Sequence, residues 1–104
     1  MRRNEIVGRI RNVVKLVEPT AVSILYGSEA RGDAHPGSDI DILILLEGER
    51  RNLAKENAIS GALYDIELDT GVVISPLITL KKNWEERPFD TPFYLNVMRE
   101  GIVL

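Results

Sequence analysis

Apolar residues recur at helical spacing early in the chain: Ile6, Val7, Ile10, Val13, Val14 and Val17, with basic residues between them. The pattern predicts an amphipathic helix over 4–17, and Pro19 stops its continuation. Residues 21–26 are a short apolar run between Pro19 and Gly27, which predicts a buried strand. Residues 28–31 follow as a short helix with Ser28 at its N-cap, and 32–38 is a turn-rich loop. The clearest strand is 39–46. Asp39 and Asp41 share one face at its start, and the rest is apolar throughout, as in a central strand.

Leu53, Ala54, Asn57, Ala58, Leu63 and Ile66 predict a second, weaker helix, interrupted by Gly61 and stopped by Gly71. Residues 72–78 read as a third strand, with Pro76 assigning its end to an edge or a bulge. A polar linker over 81–86 precedes a short helix over 93–99, and Gly101 releases 102–104 as a final edge strand. The expected architecture is α/β (α+β): a small mixed sheet of three to four strands with helices packed on it.

At 104 residues the chain is expected to be a single domain, 1–104. Its 44% apolar content and net charge of -3 are those of a soluble globular protein. A pI near 5.1 argues against a general nucleic-acid binder, which needs a broad counterion-releasing surface. Arg2, Arg3, Arg9, Arg11 and Lys15 crowd the N-terminus against Glu5 alone, and such a run is most often a solvated helix face. The absence of cysteine excludes disulfides and thiolate metal sites and suits a reducing, cytoplasmic setting. The longest apolar run, 42–46, is far too short to cross a bilayer, so no membrane association is expected.

Candidate chemistry lies in Tyr26-Gly27-Ser28-Glu29-Ala30-Arg31-Gly32 and in Asp39-Ile40-Asp41. Gly27 allows a sharp turn and the close approach of a phosphate. Ser28 adds a hydroxyl donor at the start of a helix, and Arg31, one turn on, offers a planar cationic fork to the same phosphates. Asp39 and Asp41, two apart on a strand, project to one face and repel each other unless a cation lies between them. A hard divalent cation does this well, and Mg2+ takes one or two carboxylates plus substrate phosphate oxygens. The two motifs together suit nucleotidyl transfer.

Gly27-Ser28-Glu29-Ala30-Arg31-Gly32 followed by Ser38-Asp39-Ile40-Asp41 resembles the signature of the polymerase-beta-like nucleotidyltransferase superfamily, and most closely its minimal nucleotidyltransferases. The resemblance implies transfer of a nucleoside monophosphate from ATP or another NTP with Mg2+ or Mn2+. It implies triphosphate binding by Gly27, Ser28 and Arg31 and metal binding by Asp39 and Asp41. Active members usually carry a third carboxylate on the next strand, yet Val72-Val73-Ile74-Ser75-Pro76 contains no acid. Asp69, just before that strand, is the expected substitute as third catalytic carboxylate. A chain of this length is not expected to hold the helical acceptor-binding domain of larger relatives. The resemblance therefore implies an acceptor on another protein: a small helical HEPN-type partner in a toxin–antitoxin-like pair, with homo-oligomers also compatible. The alternative is a catalytically impaired, nucleotide-binding antitoxin that acts by contact.

Other residues have plainer readings. His35, beside Pro36, reads as a turn residue, and Trp84, Phe89, Phe93 and Tyr94 read as packing for the C-terminal elements.

Overall fold

In the computed structural model, which describes residues 2–104, helices and strands alternate along the chain. They are α1 (Arg3–Val17), β1 (Val22–Tyr26), α2 (Gly27–Arg31), β2 (Ile40–Leu46), α3 (Leu53–Thr70), β3 (Ile74–Leu80), α4 (Lys81–Glu85), α5 (Pro92–Glu100) and β4 (Ile102–Val103). The strands make one mixed sheet in the order β3-β2-β1-β4. β1 is antiparallel to β2 and to β4, whereas β2 and β3 are parallel. A parallel pair needs a long crossover, and α3 supplies it.

Alternation along β2 divides the core. Ile40, Ile42, Ile44 and Leu46 meet Ile6, Ile10 and Val14 of α1 and Ile59, Leu63 and Ile66 of α3. Leu43 and Leu45 face the other way, onto Val97 of α5 with Phe93 and Trp84 beside it. A strand covered on both faces must be apolar at successive positions, which accounts for the unbroken run after Asp41. Each such side chain contributes about 1.5–3 kcal/mol on burial.

The structure corrects several boundaries. α3 runs unbroken through Gly61. A mid-helix glycine costs about 1 kcal/mol relative to alanine, and the buried contacts of Ile59 and Leu63 on either side of it offset that. Leu53 and Ala54 do not belong to the core face; both are exposed. Asn52 caps the helix by accepting a hydrogen bond from the Lys55 backbone at 3.1 Å, and Gly71 ends it at a φ of 75°. β3 begins and ends two residues later than the apolar run suggests. Pairing with β2 sets its limits, from Ile40 beside Ile74 to Leu46 beside Leu80. As an edge strand it tolerates Pro76. The polar stretch after it is a helix, α4, anchored by Trp84 on the sheet.

Candidate active site at the Gly-Ser turn and the paired aspartates

The end of β1 and the start of β2 form one corner of the sheet, where Tyr26 lies directly across from Asp41. The chain leaves β1 at Gly27 with a φ of +73°, a conformation that favours glycine. A Cβ added to Gly27 would lie 2.5 Å from Asp41 Oδ2. Only glycine lets this carboxylate rest against the turn. Ser28 stands in the first turn of α2, not at its cap. The cap position falls to Tyr26, whose side chain makes no capping bond, because the helix begins one residue earlier than expected.

Asp39 and Asp41 point to the α5 side of the sheet, with the parity of Leu43 and Leu45. Partial burial pushes the Asp41 carboxyl up from its ordinary value, and the negative charge of Asp39 adds to the shift; Arg31 opposes both. Burial and the nearby Asp41 also raise the Tyr26 phenol. Arg31 is exposed, and its guanidinium pairs with Asp33 Oδ2 at 3.1 Å and Glu100 Oε1 at 3.2 Å. A phosphate would have to compete with these two carboxylates for it.

Ser75 was not legible as a site residue. It is paired in parallel register with Asp41, so its side chain shares the aspartates' face, and its hydroxyl donates to Asp39 Oδ2 at 3.3 Å. On β3 it holds the place where a third carboxylate was sought. Its only sequence signal is that it is a polar residue in a mostly apolar strand.

Asp69 does not fill that gap, and its expected catalytic role is corrected. It sits in the last turn of α3 and pairs with Arg9 of α1, in the helical layer on the opposite side of the sheet from Asp41. A helix end packed on that layer cannot bring a carboxylate through to the other face. Among the described residues, no three His, Cys, Asp or Glu side chains gather into a metal-binding group. Two carboxylates and a hydroxyl do suit one hard cation that completes its shell with water or phosphate oxygens. Burial chiefly, and the Asp39 charge after it, disfavour the ionised Asp41 carboxyl, and a cation there would favour it.

Arg3, expected on a solvated basic face, instead points into the fold. Its Nε donates to Glu29 Oε1 and its Nη2 to the carbonyl of Ser38, both at 2.7 Å. One guanidinium thus ties α2 to the residue preceding Asp39. Its Nη1 is buried without a hydrogen-bond partner. His35 is a turn residue, as expected, with Nδ1 accepting from the Gly37 backbone at 3.2 Å. Trp84 and Phe93 pack edge-on, and Phe93 meets Tyr26 in the same way. Phe89, however, is exposed.

Among the described residues no helix is long and apolar enough to cross a membrane. The fold is similar to that of a candidate nucleotidyltransferase from Sulfolobus solfataricus, whose crystal structure was determined at 1.40 Å. The TM-score is 0.58 at 17% identity, over 95% of this chain and 76% of that one. No curated protein matches the sequence. Residues 7–94, which include both halves of the site, match the family described as a nucleotidyltransferase domain. The chain belongs to this nucleotidyltransferase domain family, within the polymerase-beta-like superfamily.

Proposed function

We propose that this protein is a Mg2+-dependent nucleotidyltransferase that moves AMP from ATP to a hydroxyl of a HEPN-type partner protein. The observation that carries the reading is the contact of Gly27 with Asp41, which sets the phosphate-binding turn directly beside the aspartate pair. Gly27, Ser28 and Arg31 would bind the triphosphate, and Asp39 with Asp41 would hold the cation. The acceptor oxygen attacks the α-phosphorus. A new P–O bond forms as the bond to the β-phosphate bridging oxygen breaks, and pyrophosphate leaves. Asp39, which accepts a hydroxyl hydrogen bond from Ser75, would take the acceptor's proton. Bound Mg2+ or Mn2+ would supply positive charge against the triphosphate and the developing charge of the transition state.

The test is incubation of the purified protein with labelled ATP, Mg2+ and the partner. Label should appear on the partner, and Asp39→Asn combined with Asp41→Asn should abolish it. Absence of label with wild type, or equal label with the double variant, would refute the reading.

Ser75 in place of an acid favours a second reading, in which the protein is a catalytically impaired antitoxin that binds nucleotide and neutralises its partner by contact. That reading requires the double aspartate variant to neutralise the partner undiminished while wild type transfers no label.

A further inference from the structure

We propose that this protein forms an antiparallel homodimer through the outer face of α3, with the two-fold axis passing between Ser60 and Gly61. The helix spends one face on the sheet, through Ile59, Leu63 and Ile66. Its opposite face carries large exposed apolar side chains among small and polar ones. Leu53, Tyr64 and Leu68 are 65%, 56% and 66% exposed. With the exposed Asn57 and Ser60 they follow one another at helical spacing, in a single stripe.

Gly61 lies at the middle of this stripe. A Cβ built on it meets nothing within 4 Å, so packing inside the monomer gives no reason for glycine at a position where it weakens the helix. Close approach of a second backbone does give one. Gly8 on α1 is equally open, but its helical neighbours are Asn4, Glu5, Arg11 and Asn12, whereas Gly61 stands between Asn57 and Tyr64 in the stripe that carries Leu53 and Leu68.

The order of the stripe names a second copy as the occupant. Read in reverse, it matches itself: Leu53 meets Leu68, Asn57 meets Tyr64, and Ser60 meets Gly61. An isologous two-fold contact requires this property, that residue i meets j while j meets i. Charge agrees with the antiparallel sense. Arg51, Lys55, Glu67 and Asp69 are engaged within the chain, but Arg50, just before α3, and Asp65, near its end, make no ion pair among the described residues, and the last turn has no basic residue. Acidic groups there oppose their own helix dipole, and the basic start of an antiparallel copy would lie alongside them. Asp39 and Asp41 face the other side of the sheet, so the dimer leaves both sites open. The inference does not depend on the proposed reaction.

An 18-residue helix is about 27 Å long, and one helix pair gives an interface at the small end of the specific range. A concentration-dependent equilibrium is therefore expected. Sedimentation velocity over a dilution series should show wild type passing from monomer to dimer. Leu68→Glu and Gly61→Leu should stay monomeric at every concentration, with unchanged far-UV circular dichroism and, for Gly61→Leu, undiminished thermal stability when dilute. Because the chain has no cysteine, orientation can be read by oxidising a mixture of Leu53→Cys and Leu68→Cys chains. The mixed 53–68 disulfide should dominate over 53–53 and 68–68. A wild type that is monomeric throughout, a dimer that persists in both variants, or a dominant 53–53 product would each overturn the proposal.

Discussion

Gly27 and Asp41 touch so closely that no side chain fits between them: a Cβ on Gly27 would fall 2.5 Å from Asp41 Oδ2. The Gly27 turn and one of the paired carboxylates are therefore a single packed unit, and the turn has no room for a side chain. Gly27→Ala adds this clash to a left-handed φ that costs a non-glycine residue roughly 1–3 kcal/mol. The variant should lose ATP binding by calorimetry and melt earlier than wild type. Retention of both would show that the contact is not required.

Asp41 carries a functional cost in the metal-free protein, because it is partly buried beside a like charge. Asp41→Asn should leave the fold equal in stability or firmer by up to about 1 kcal/mol in chemical denaturation without metal. In Mg2+ and ATP the order should reverse, with wild type gaining thermal stability and the variant gaining none. A variant less stable than wild type without metal would contradict this account.

Ser75 shares the aspartates' face in register with Asp41. Ser75→Asp should raise Mn2+ affinity, measured by titration calorimetry, and should raise label transfer if catalysis is limited by the missing acid. Without metal, the third clustered carboxylate should lower the melting temperature. Unchanged metal affinity would show that position 75 does not face the cation.

Arg3 bridges Glu29 and the Ser38 carbonyl with its side chain only 20% exposed. Arg3→Met leaves Glu29 without its ion-pair partner and should cost about 1–3 kcal/mol. Arg3→Met with Glu29→Met should cost less than the sum of the single changes, since the second removes the stranded charge. Additive losses in urea unfolding would show that the pair does not act as a unit.

Glu56 is held below its ordinary value of 4.5 by its hydrogen bond and ion pair with Arg51. A depressed carboxyl adds stability that is full above the unfolded value and is lost as pH falls through the folded one. The stability gap between wild type and Arg51→Met should therefore be constant at neutral pH and close on the acid side of 4.5. A gap that widens in acid would reverse the sign of this linkage.

Much of the site is local, and for that reason it could be read from the chain. Gly27-Ser28 and the Asp39–Asp41 step depend on backbone freedom and on the two-residue period of a strand, and both are properties of a few adjacent residues. The central strand was legible too, because an unbroken apolar run after two aspartates fits only a strand covered on both faces. The third carboxylate was misplaced because proximity along the chain made Asp69 look available. Strand register and helix packing decide which groups meet, and they place Ser75 beside Asp39 and Asp69 beside Arg9.

The sequence by itself determined the order of helices and strands except α4, the double-covered β2 and the Gly-Ser and aspartate motifs. Tertiary structure alone decided that Gly27 touches Asp41, that Arg3 ties α2 to the start of β2, and that β3 presents a serine to the site. The division follows from range. Backbone preference and hydrophobic period act within a few residues. The partners of Arg3, Asp41 and Ser75 lie across the sheet or on another helix, where only packing of the whole chain sets the distance.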